Sequence, residues 1–139
     1  MNTLSLAETR AVAASFAQRH KRLFGLALGL QIIVGALFLF FPSFSLRTVG
    51  LSEAMRPEWP SIWGATLIFV TVMQIPGALS PLTQRYANVI AVLGRAMMVL
   101  TFLWHGGPFV IFAIFDLVFG ALIFLGFRRA VLAELQTRP

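Results

Sequence analysis

Two charges interrupt the apolar runs of this 139-residue sequence, Arg95 and Asp116, and two side-chain amides, Gln31 and Gln74, sit in comparable surroundings. A guanidinium and a carboxylate in an otherwise apolar setting can form an ion pair, carry a proton, or hold the polar part of a ligand. Arg95 shares a helical face with Asn88, Ala91, Val99 and Phe102, at steps of three and four residues. Asp116 shares one with Ala113 and Gly120, small residues that let a neighbouring helix approach. Gln31, Gln74, Asn88, Arg95 and Asp116 therefore form the candidate polar cluster. Arg95 and Asp116 lie on consecutive runs joined by "HGGP" (105–108), and counting back from that turn brings them nearly level. A charge at mid-membrane costs about 2.5–3.5 kcal/mol. Pairing removes most of that cost, so a salt bridge between the last two runs is expected.

Other chemistries find little support. The sequence has no cysteine, which excludes disulfides, thiolate metal sites and a cysteine nucleophile. Its two histidines, His20 and His105, fall at opposite ends of the apolar runs and cannot ligate one haem within a subunit. Zinc and di-iron centres need clustered histidines and carboxylates, so no metal or other cofactor is expected. No nucleophile-elbow, zincin, phosphate-loop or dinucleotide-binding pattern occurs, and no catalytic residue is assigned. His105, beside Trp104, is the one candidate pH-sensitive group. The pair Met97–Met98 reads as packing or lipid contact rather than a copper site.

The elements that must position these residues follow from composition. The chain is 58% hydrophobic and 12% charged, with a mean hydropathy of +0.85, whereas soluble domains carry about 25% charged residues. Four runs approach the ~20 residues needed to cross a bilayer: 23–41, 61–79, 88–105 and 108–127. They are continuous rather than alternating, which indicates helices and not barrel strands. The expected fold is all-α, a single transmembrane domain over 1–139 built as a four-helix bundle. Pro42 stops the first span. Pro60 suits the first turn of the second, and "PG" at 76–77 loosens its end. Ser80 and Pro81 read as N-cap and N1 of the third. At 1.5 Å per residue, Gln31, Arg95 and Asp116 lie roughly 12–16 Å from the loop-side ends of their spans and Gln74 roughly 20 Å.

Residues 1–22 read as an amphipathic or cytoplasmic N-terminal helix extending the first span, with "SLAE" at 5–8 as a capping box. They lack the apolar core of a cleaved signal. The linker 42–60 is the longest, and "SEAM" within it suggests one helical turn. The net charge of +6 reports topology rather than nucleic-acid binding. Eight lysines and arginines flank the spans on the side of the termini and two, Arg47 and Arg56, on the other, Arg95 excluded. The positive-inside rule then places both termini in the cytoplasm. Trp59, Trp63 and Trp104 fall at the opposite interface.

Gly25, Gly29 and Ala36 form a small face on the first span, including a GxxxG step suited to helix contact within a chain or between chains. The expected partners are the lipid bilayer and either further copies of the chain or a larger membrane complex. "GALFLFFP", "WGATLIFVTVMQIPGA", "VLGRAMMVLTFLWHGGP" and "FDLVFGALIF" together make the chain similar to a broad group of small four-helix bacterial inner-membrane proteins, DoxX-like in layout. That resemblance implies a multi-pass protein of the bacterial cytoplasmic membrane. Gly94, Arg95, Pro108 and Asp116 match the group's most recognisable positions, and it supplies no catalytic residue. The leading expectation is a non-enzymatic accessory, assembly or oligomeric subunit. Two alternatives are a small transporter or binder of a proton, ion or lipophilic molecule using the polar cluster, and a quinone- or lipid-linked enzyme subunit.

Overall fold

The first helix, α1, runs unbroken from Leu6 to Phe40 in the computed structural model, which describes residues 6–51 and 58–136. A stripe along α1 faces the interior: Ala13, Ala17, His20, Phe24, Ala27, Leu28, Gln31 and Phe38 are buried at steps of three, four or seven. After it come α2 (Pro42–Thr48), α3 (Glu58–Leu79), α4 (Arg85–His105), a 3-10 turn (Gly107–Phe109) and α5 (Val110–Leu135). No strand occurs among the described residues. All but α2 are long and apolar enough to cross a membrane. The chain is thus an all-α, multi-pass integral membrane protein, the four-helix bundle expected from its hydropathy. The outward faces of the spans carry many large apolar side chains, as lipid contact requires, among them Leu26, Ile33, Phe69, Leu100 and Leu117.

The helices form a ring in which α1 packs against α3 and α5, and α5 against α4, while α3 and α4 touch least. The α1–α3 contact is a glycine crossing. A Cβ on Gly64 would lie 2.5 Å from the Gly35 carbonyl oxygen and 2.6 Å from the Leu39 nitrogen, so the two backbones meet with no room for a side chain. The Ser61 hydroxyl donates to the Leu39 carbonyl just beyond the crossing. The packing stripe read at Gly25, Gly29 and Ala36 is therefore displaced. Gly25 and Gly29 are exposed with no atom of another helix near them, Ala36 is half-buried, and Gly35, about 100° around the helix from that stripe's centre, makes the contact.

Several boundaries differ from the sequence reading. At 1.5 Å per residue, α1 spans roughly 52 Å and α5 roughly 39 Å, both longer than a ~30 Å hydrocarbon core. Both overhang at the end that carries the termini. Gly126 packs on His20 there, and the antiparallel register brings Ala17 level with Ala130 and Ala13 level with Ala133, all four buried. Residues 128–135, read as following the last span, instead continue α5 for two turns. The N-terminal segment does extend α1, although Ser5 of the capping box lies outside the described residues. So does "SEAM" at 52–55. The linker's first part is helical instead: Pro42, which ends α1, opens α2 at N1.

Ser80 and Pro81 do not start α4. Residues 81–83 form a turn, closed by Gln84 N–H to the Ser80 carbonyl at 2.8 Å, and the helix begins at Arg85. Pro76 lies inside α3, which ends at Leu79 where the second span was expected to end. Gly106 and Gly107 take φ of +62° and +53°. A β-carbon is strained in that left-handed conformation, so the α4–α5 hairpin needs both glycines.

The glycine crossing yields a direct test. Gly64→Ala should force α1 and α3 apart, lowering stability by about 1–3 kcal/mol in thermal unfolding of the detergent-solubilised protein. Gly29→Ala should cause no loss. Equal effects of the two would contradict the close approach at Gly35 and Gly64.

Candidate functional site: a cavity beside a buried ion pair

Arg95 is held on the inner face of α4 by the stripe it shares with Asn88, Ala91 and Phe102, all buried. Asp116 is held on the inner face of α5 with Ala113, Gly120 and Ile123. Gly120 lies against the guanidinium stem; its missing side chain lets Arg95 cross the interface, since a Cβ there would touch the Arg95 Cβ at 3.4 Å. Arg95 Nη1 donates to Asp116 Oδ1 at 2.8 Å, and both residues are buried, at 3% and 8% exposure. The pair is the inter-helix salt bridge that the level positions of the two residues imply.

Only one corner of the guanidinium is used. Arg95 Nε and Nη2 are buried and have no hydrogen-bond partner within the protein. They form one edge of the guanidinium plane, two roughly parallel N–H groups. Gln31 Oε1 and Gln74 Oε1 are likewise buried without a partner. All three residues, and Asp116, line a cavity of about 490 Å³. Each of the four spanning helices contributes an amide or charged group: Gln31 from α1, Gln74 from α3, Arg95 from α4 and Asp116 from α5. The remaining walls are apolar or aromatic except for Thr66 on α3, whose hydroxyl donates to the Ile62 carbonyl of its own helix.

The cavity lies where α3 and α4 separate. Val70 on α3 and Gly94 and Met97 on α4 border it and are exposed on the outer surface of the bundle. It therefore opens sideways, toward lipid tails in a membrane. Trp63, Met98, Phe102 and Phe112 also wall a second chamber of about 480 Å³ nearer α2, so the two spaces adjoin. The second chamber is aromatic. Trp63 stands edge-on to Phe38 and Phe112 at 4.7 and 5.7 Å. Trp63 thus turns inward, whereas Trp59 and Trp104 are exposed at that end of the bundle. His105 borders this chamber. It is exposed, and its Nδ1–H donates to the Thr101 carbonyl at 2.8 Å.

Asn88, grouped with the cavity residues by its helical face, belongs elsewhere. It lies two turns from Arg95 toward the termini and is fully buried. Its amide nitrogen donates to the carbonyls of Gly77 and Gln84, both at 3.1 Å, which leaves Oδ1 to accept from His20 Nε2–H at 2.8 Å. The neutral imidazole then presents an unprotonated Nδ1, buried and unpartnered, against Gly126. This node joins α1, α3 and α4 and packs on α5. Gly77 permits it, as its absent Cβ leaves room for Ala87 and Asn88. Arg85 and Glu134 add an ion pair between α4 and α5 at the same end.

The apolar runs alone leave His20 outside the candidate site, because it precedes the first of them among basic residues. Its signal is the stripe Ala13, Ala17, His20, Phe24, Ala27, which places it on the buried face of α1. Among the described residues, no three histidine, aspartate or glutamate side chains gather as a metal site would need. No protein-family model, curated protein or solved structure matches the chain.

Breaking the ion pair should be costly. Arg95→Leu and Asp116→Leu should each lower stability by about 3 kcal/mol or more, because each strands a buried charge, while the double substitution should cost less than their sum. A double-mutant cycle of unfolding in detergent measures the coupling, and strict additivity would rule out direct contact. Asn88→Ala should cost about 1–3 kcal/mol in the same assay by orphaning the His20 N–H and the Gly77 carbonyl. An unchanged unfolding midpoint would show that the node carries no stability.

Proposed function

We propose that this integral membrane protein binds a lipophilic molecule carrying a polar group, taken up sideways from the bilayer into the cavity between α3 and α4. The observation that carries this reading is the half-used Arg95 guanidinium. A buried donor without a partner costs about 1–3 kcal/mol, and here two such donors belong to an arginine that lines the same cavity as two glutamines with unpartnered amide oxygens. A purely structural ion pair needs none of this surplus. Apolar walls with a few convergent polar groups are the usual make-up of a small-molecule site. The lateral opening through Val70, Gly94 and Met97 gives a membrane-dissolved ligand access without crossing water. Of the functions weighed from the sequence, binding of a lipophilic molecule thus fits the geometry better than ion transport.

The setting proposed is a bacterial inner membrane with both termini in the cytoplasm. The eight-to-two bias of basic residues and the DoxX-like layout support it. A second role, as an accessory or self-associating subunit, is favoured by one observation: Gly25 and Gly29 face outward with open space above them. A GxxxG surface of that kind can receive a helix of another chain. The two roles are compatible, because that face of α1 lies away from the cavity.

Gly94 provides the test. It borders the cavity, and a Cβ there meets nothing within 4 Å. Gly94→Phe should therefore fill the opening without disturbing the bundle. Protein purified in mild detergent should release a lipophilic compound on extraction, seen by mass spectrometry. The variant should unfold at an unchanged temperature yet release little or none of that compound. Equal yields from both proteins, or none from either, would contradict the reading.

A further inference from the structure

Resting on the lipophile-binding reading, the unpartnered groups of the residues that line the cavity point to the head group it takes. Asp116 occupies Arg95 Nη1 alone, so the Nε–H and Nη2–H edge is without a partner, as are the buried amide oxygens Gln31 Oε1 and Gln74 Oε1. A guanidinium edge matches two oxygens on one carbon, each accepting one N–H. A primary amide would set an N–H against an N–H. A ketone or ester accepts but cannot donate to the glutamine oxygens. A carboxylic acid does both.

Charge points the same way. Arg95 and Asp116 already cancel, so a permanently charged head would leave net charge in the bilayer core, which is disfavoured. An acid can enter neutral, with its proton shared among the oxygens of the site. The space beyond the head is long enough for a chain. Arg95 and His105 stand ten residues apart on α4, roughly 15 Å at 1.5 Å per residue. Trp63, Met98, Phe102 and Phe112 line the route between the two adjoining chambers.

We infer that the cavity selects a single-chain carboxylic acid, its carboxyl group on the Arg95 Nε–Nη2 edge and beside Gln31 and Gln74, its chain running past Trp63 and Phe112 toward α2.

Binding of palmitic acid and of methyl palmitate to the delipidated, detergent-solubilised protein tests this, read as bound fraction by native mass spectrometry. The two probes share a chain, and only the acid has an O–H. The acid should bind up to about tenfold tighter, the upper expectation for one additional hydrogen bond between neutral groups. Arg95→Lys keeps a cation for Asp116 but has no two-donor edge. It should weaken the acid and the ester alike, since both place oxygens on that edge, and leave the acid's advantage from its O–H in place. If the unmodified protein binds both probes equally, carboxyl recognition is wrong while lipophile binding stands. If it binds neither probe, the carboxylic-acid inference also fails, and release of a native compound blocked by Gly94→Phe decides separately whether the cavity holds another lipophile. The acid-to-ester comparison in the unmodified protein decides the matter even if Arg95→Lys fails to fold.

Discussion

A guanidinium inside hydrocarbon must be compensated, and much of this bundle is arranged around that requirement. Asp116 supplies the opposite charge from the neighbouring helix, the glycine hairpin at 106–107 sets the two helices in register, and Gly120 clears a path for the arginine stem. Coulomb attraction is strong at low dielectric, yet desolvation of both partners offsets much of it, so such a pair is weak evidence for stability alone. What separates Arg95 from a simple staple is that one bond to Asp116 leaves two further donors unspent beside a cavity. The charge problem is solved, and hydrogen-bonding capacity is left over.

Polar groups divide the molecule into two halves of different character. Toward the termini, His20, Asn88, the Gly77 carbonyl and the Arg85–Glu134 pair link all four spanning helices, with alanines packed between α1 and α5. Toward α2, aromatic rings meet edge-on around open space. Asn88 satisfies both amide hydrogens and its oxygen within the protein, whereas Arg95, two turns further along the same helix, does not. Closely spaced residues on one stripe thus take opposite roles: one ties helices together, the other faces a cavity.

The spans were legible because hydrocarbon thickness imposes a length on apolar runs, and the ion pair because the tight "HGGP" turn fixes the level of residues on either side. The polar residues of the cavity were legible as a group for the same reason, with Asn88 as the exception: helical periodicity gives its face but not its depth. Length also misled at the ends of α1 and α5. Charged residues at 19–22 and 128–129 end the apolar signal without ending the helix, since lysine and arginine are good helix formers. Helix α2 was hidden in a short, mixed stretch whose one clear mark, Pro42, signals a stop and a start equally. The choice of Gly35 over Gly25 and Gly29 depends on which side of α1 faces α3, and a GxxxG spacing carries no such direction. No alignment-like signal is needed to find His20: extending the buried stripe of α1 backward by one turn reaches it.

The ties between α3 and α4 are gathered at one end, where Asn88 grips the Gly77 carbonyl, while the polar cavity and its opening lie beyond. Two rods pinned together near one tip behave as a clothes-peg. Their free tips can part without loosening the pin, and the parting widens with distance from it. A guest pushing in from the side would meet least resistance farthest from Asn88, so the mouth can yield while the knot around His20 stays shut.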